Sequence, residues 1–95
     1  MFVVRNVFRC KPGQAKVVVE KFKKSMSFEG MGKHRILVDH VANFWTVVLE
    51  TEVEDLAAFE KQLSEYGQRP EVQEVMSGYL DLIDGGHREI FRVLD

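Results

Sequence analysis

The sequence predicts an α+β domain: one four-stranded antiparallel sheet, built as a split βαβ unit, with helices on one face. Three observations carry that expectation. The spacing of apolar residues alternates between a period of two and a period near 3.6, in the order strand, helix, strand, strand, helix, strand. The passage 44–63, FWTVVLETEVEDLAAFEKQL, passes from a strand straight into a helix. Large apolar side chains also sit on both faces of the predicted strands, so helices over one face leave a second apolar face to be covered.

Taken in order, Phe2 to Arg9 reads as the first strand, with Phe2, Val4, Asn6 and Phe8 on one face and Val3, Arg5, Val7 and Arg9 on the other. Lys11-Pro12-Gly13 is a break suited to a helix start. From Gln14 onward, Ala15, Val18 or Val19, Phe22 and Met26 mark one helical face, with Lys16, Glu20, Lys23 and Lys24 opposite. Gly30-Met31-Gly32 closes that segment as a loop. Lys33 to Val41 reads as the second strand, and Ala42-Asn43 as the turn of a hairpin into a third strand beginning at Phe44. Thr51 is the expected N-cap of a helix from about Val53 to Tyr66, with Leu56, Phe59, Leu63 and Tyr66 on its apolar face. Pro70 opens a further helical pattern through Val72, Met76, Tyr79 and Ile83, which Gly78 weakens. Gly85-Gly86 then ends it, and His87 to Leu94 is the expected fourth strand.

Ninety-five residues, 45% hydrophobic and 29% charged, describe one ordinary folded domain rather than a disordered chain. With a net charge of −2 and a pI near 5.9 the chain lacks the basic footprint of a nucleic-acid binder. Cys10 is its only cysteine, which excludes an internal disulfide and fits a reducing cytoplasm. No apolar run has membrane-spanning length, so a cytoplasmic protein without membrane contact is expected.

The element order is that of ferredoxin-like folds. The economical cover for the second apolar face is another copy packed sheet against sheet, so a homodimer is expected. The residues also carry a resemblance. KPG after the first strand, the passage FWTVVLETEVEDLAAFEKQL and the closing REIFRVL together resemble the dimeric α/β-barrel superfamily, and within it small NIPSNAP-like and antibiotic-biosynthesis-monooxygenase-like proteins. The resemblance implies a ligand cavity in each subunit between sheet and helices, and a cofactor-independent, monooxygenase-like activity on a small, flat, hydrophobic or aromatic substrate. The alternative is a homodimer that binds a small ligand without turnover, or a purely structural one.

Candidate site residues follow. First-strand asparagines serve haem-degrading and quinone-forming relatives, so the resemblance implies a catalytic role for Asn6; the plain alternative is an amide satisfying its neighbours. His40 is the candidate general base, imidazole being the side chain suited to proton transfer in neutral solution. Trp45, the sole tryptophan, would stack on a planar ligand unless it only packs the core. Tyr66 and Tyr79 fall on core-facing stripes and would present hydroxyls to a cavity. No histidine spacing suits a metal ion, and residues 53–66 hold no histidine for haem iron, so no metal or cofactor is expected. Arg5, Arg9, Asp39, Glu50, Arg88 and Arg92 would bind a substrate carboxylate, but ion pairs between strands or across a dimer explain them better.

Overall fold

In a computed structural model, which describes residues 1–28 and 33–94, β1 (Phe2–Cys10) leads through α1 (Ala15–Met26) to β2 (Arg35–Val38) and β3 (Thr46–Val53). Then come α2 (Leu56–Gly67), α3 (Pro70–Met76), a 3₁₀ turn (Tyr79–Leu82) and β4 (Ile83–Arg92). The strands lie in the order β2-β3-β1-β4, and each neighbouring pair is antiparallel. β3 thus separates β1 from β2, which is the split βαβ, ferredoxin-like arrangement.

Register sorts the two faces. Asn6 stands between Leu49 and Arg88, Phe8 between Val47 and Gly86, and Val4 between Thr51 and Ile90. This face meets the helices. Val47 and Leu49 form a core with Cys10 and with Val18 and Phe22 of α1, and Phe8, Ile36, Met76 and Tyr79 pack around it. The valine run of α1 is a poor helix former by propensity, and burial of Val18 and Phe22 overrides that. Lys23 and Lys24 close its last turn, where cations suit the helix dipole.

The opposite face carries no helix. One row crosses all four strands as Arg35, Glu50, Arg5, Glu89. Glu50 accepts from Arg35, Arg5 Nε lies 3.5 Å from Glu50 and 3.9 Å from Glu89, and His87 Nε2 sits 3.1 Å from Glu89. Beside this row stand Leu37, Val48 and Val7 on one flank and Val3 and Phe91 on the other. Phe91 is 52% exposed. Charges alternate along the centre of this face, with apolar side chains beside them and His87 and Glu52 in the flanking rows.

Several expected boundaries move. The loop expected at 30–32 lies outside the described residues. β3 begins at Thr46 because the chain turns through residues 39–45: Thr46 N donates to Asp39 Oδ1 at 2.8 Å, Asp39 N to Thr46 O at 3.2 Å, and Thr46 Oγ1 to Asn43 O at 2.7 Å. Trp45 holds the left-handed φ of +63° that ends this turn. The strand then runs on past Leu49, since Thr51 and Val53 still pair with β1. Thr51 is therefore buried in the sheet, its hydroxyl donating to Lys33 O at 2.7 Å, and Asp55 is the N-cap of α2, accepting from Ala58 N at 3.1 Å. Gly78, at φ +82°, does break the final helical pattern, separating α3 from the 3₁₀ turn. Gly85 and Gly86 lie inside β4 rather than before it. A Cβ on Gly86 would collide with the Val7 carbonyl oxygen, so only glycine lets β4 pass β1 that closely, next to the irregularity at Arg9 and Cys10.

Candidate functional site

Between the sheet and the helices, toward the β4 edge, lies a cavity of about 840 Å³ that opens to solvent. Each element contributes a wall for a reason legible in its residues. β1 supplies Asn6 and Phe8, β3 supplies Leu49, and β4 supplies Gly86 and Arg88. α1 supplies Phe22 and Ser25, α2 Leu63 and Tyr66, α3 Val72 and Met76, and the 3₁₀ turn Tyr79. These are the helix-facing positions of each strand and the apolar stripes of each helix, which stop short of meeting. The floor is aromatic: Phe8 and Phe22 have ring centroids 4.9 Å apart and tilted by 52°, and Phe22 lies 6.4 Å from Tyr79 at 58°.

Besides Gln73 and His87 on its walls, polar groups border this apolar space at two hydrogen-bonded places. Arg88 Nε donates to Asn6 Oδ1 at 2.6 Å across the β1–β4 pair. A guanidinium only donates, so this bond sets the Asn6 amide with its oxygen toward Arg88 and leaves the NH2 group as the amide's donor. At the other place, the Tyr66 hydroxyl donates to Ser25 O, with Phe28 O 3.2 Å away. Ser25 is in the last turn of α1, where carbonyls have no partner within the helix, so Tyr66 of α2 caps α1. Burial, ahead of the opposing pull of Arg69, raises the Tyr66 pKa, which keeps the hydroxyl protonated in neutral solution.

The wall behind Tyr66 is braced. The Arg69 guanidinium sits 5.1 Å from the Tyr66 ring centroid, and its Nε donates to Glu71 Oε1 at 2.5 Å. The Glu71 carboxyl is held below its usual range by its own backbone amide first and by Arg69 second. Lys21 Nζ, donating to Ser77 O at 2.8 Å, ties α1 to the end of α3.

The structure brings Asn6, Tyr66 and Tyr79 together around the cavity and leaves two candidates outside it. Trp45 does not stand on a strand face over a ligand: it lies in the turn before β3, 42% exposed, and is absent from the cavity walls. Its left-handed backbone takes it out of the alternation that the strand reading assumed. His40 is exposed in the same turn, because β2 ends at Val38, so it approaches no cavity group as a base. Cys10 is buried in the core at 2% exposure, its thiol pKa raised by burial and then by Asp39. Among the described residues, no three His, Cys, Asp or Glu side chains are grouped to hold a metal ion. Arg88, set among the strand charges that ion pairs explain better, instead stands at the cavity wall bonded to Asn6. Its parity relative to Asn6 emerges only once β4 is known to start at Ile83, with both glycines counted inside it.

No protein-family model matches the sequence, and no curated protein is significantly similar to it. Solved structures are similar in fold. A NIPSNAP family protein from Agrobacterium tumefaciens superposes with a TM-score of 0.88 at 12% identity, covering 99% of this chain and 93% of that one. An uncharacterised NIPSNAP-like domain protein from Burkholderia xenovorans gives 0.85 at 16% identity, covering 98% and 84%. An antibiotic biosynthesis monooxygenase gives 0.71 at 12% identity, with both chains covered completely. The fold of this chain is therefore the ferredoxin-like fold shared by NIPSNAP and antibiotic biosynthesis monooxygenase-like structures.

Proposed function

We propose that the chain binds a small, flat, largely apolar molecule in the cavity between sheet and helices, and that it does so as a homodimer paired through the open sheet face. The observation that carries the first part is the cavity itself. A space of about 840 Å³ with aromatic and aliphatic walls and a few convergent polar groups has the size and character of a ligand site. The second part is supported by the open face, where Val3, Val7, Leu37, Val48 and Phe91 surround a row of alternating charges. A two-fold partner offers the same apolar residues and the opposite charge for each charge in the row.

A second reading is favoured by one observation, the Asn6–Arg88 pair at the cavity wall. An amide and a guanidinium there would hold the anionic form of a substrate that supplies its own electrons to oxygen, as a cofactor-independent oxygenase requires. Fold likeness to a structure named as an antibiotic biosynthesis monooxygenase is consistent with this reading. A thermal-shift screen of aromatic polyketides, quinones and haem tests the binding function, since a ligand at 100 times its Kd stabilises by about 2.7 kcal/mol. Turnover of any hit in air separates oxygenase from binder. A protein stabilised by none of them and monomeric in solution refutes the proposal.

A further inference from the structure

We infer that the molecule bound in this cavity is an organic carboxylate, its apolar body against Phe8, Phe22 and Tyr79 and its carboxylate on Arg88. The inference rests on the cavity being a ligand site and adds the chemical class of the ligand. The arginines in and around the sheet are used in different ways. Arg5 and Arg35 are engaged with Glu50 and, for Arg5, Glu89, on the face away from the helices. The Arg92 guanidinium lies over the Phe2 ring, 5.9 Å from its centroid, and Arg69 is bound to Glu71. Arg88 differs. It shares the helix-side face with Asn6 and Phe8, lines the cavity, and has no acidic partner within ion-pair distance among the described residues.

What Arg88 does have is an orienting bond. Nε is taken by Asn6 Oδ1 at 2.6 Å, which fixes the plane of the guanidinium and leaves its two terminal nitrogens as donors. Those two nitrogens form a planar fork that matches the two oxygens of a carboxylate. Among the described residues no lysine and no second arginine lines the cavity, and His87 at its edge is engaged with Glu89 at 3.1 Å, so the site has the charge for a monoanion rather than for a phosphate dianion. Gly86, two residues earlier on the same face, carries no side chain to crowd the approach. An aromatic floor with one oriented, unneutralised cation at its rim selects an amphipathic acid over its neutral analogue.

The test uses calorimetric titration of the intact protein with 2-naphthoate, biphenyl-4-carboxylate and decanoate, each beside its methyl ester. At least one acid is expected to bind about tenfold more tightly than its ester, a preference that weakens with added salt. Arg88→Gln should bring the acid down to the affinity of the ester and leave the ester unchanged. Arg88→Lys should keep part of the preference, and Asn6→Leu should reduce it by releasing the guanidinium plane. Arg92→Gln, a cation on the same strand outside the cavity, should leave it intact. Equal affinity of acid and ester, or a preference that survives Arg88→Gln, overturns the carboxylate assignment while the cavity remains a ligand site. If neither acids nor esters bind at millimolar concentration, the cavity reading fails and this inference with it.

Discussion

Replacing Tyr66 with phenylalanine isolates one hydroxyl bonded to the end of α1. The ring keeps its place against Arg69, and only the bond to the α1 terminus is lost. A net hydrogen bond contributes about 0.5–1.5 kcal/mol, and a buried carbonyl left without a donor costs about 1–3 kcal/mol. Ser25 O lies beside an open cavity, so water can reach part of the vacated position and the cost falls toward the lower end. The expected loss is therefore about 1–2 kcal/mol, a fall of roughly 5–10 °C in Tm for a domain of this size.

The pH dependence gives a second reading of the same bond. Burial raises the Tyr66 pKa above the usual phenol value, so the folded state holds this proton more tightly than the unfolded chain does. Its contribution is fully present below the unfolded pKa near 10 and is lost as pH rises through the folded value. Urea unfolding of wild type and Tyr66→Phe at one fixed protein concentration, from pH 7 to 11, should show a gap that narrows above about pH 10. A gap below about 0.3 kcal/mol at neutral pH, or one that does not narrow, would refute the assignment of Tyr66 as the cap of α1.

Other substitutions probe other links. Gly86→Ala should destabilise by more than about 2 kcal/mol, because the new Cβ meets the Val7 backbone and β4 must draw away from β1; an alanine variant of wild-type stability would show that the strands do not approach so closely. Val7→Asp places a carboxylate at the centre of the open face, and at several kcal/mol for an unpaired charge in an interface it should dissociate or unfold the protein. Sedimentation equilibrium should give twice the chain mass for wild type, and a variant that is still a folded dimer would contradict sheet-to-sheet pairing. Cys10 should resist Ellman's reagent in native buffer and react at the rate of unfolding, since its thiol is buried with a raised pKa; immediate stoichiometric labelling would place it outside the core.

Much of this architecture is legible in the residues. Phe2 to Phe8 are rich in the valine and phenylalanine that suit a strand, Val18 and Phe22 keep helical spacing, and Pro70 marks the first residue of α3. What escaped was governed by contacts distant in sequence. Thr51 has the local look of an N-cap, but its pairing with Val4 and its bond to Lys33 O hold it in β3, and Asp55 caps instead. Gly85-Gly86 looks like a break, and the nearness of β1 explains the glycine at 86 within the strand, though not the one at 85. The site was legible to the same degree. Asn6 and Tyr66 sit where alternation and the helical stripe place them, and Tyr79 lines the cavity from the 3₁₀ turn beyond the break at Gly78. Trp45 does not, because a left-handed residue before β3 is invisible to a pattern of apolar residues. Arg88 was legible as a charge on a strand but not as a neighbour of Asn6, since strand register is set by pairing and not by composition.

The most direct test of the central claim is the footprint of a bound ligand. Amide shifts of labelled protein titrated with the best ligand of the screen should move at Asn6, Phe8, Leu49, Val72, Tyr79 and Arg88, around the cavity, and stay still at Val3, Arg35 and Glu52 on the open face. Shifts confined to the open face, with the cavity residues unmoved, would contradict the account.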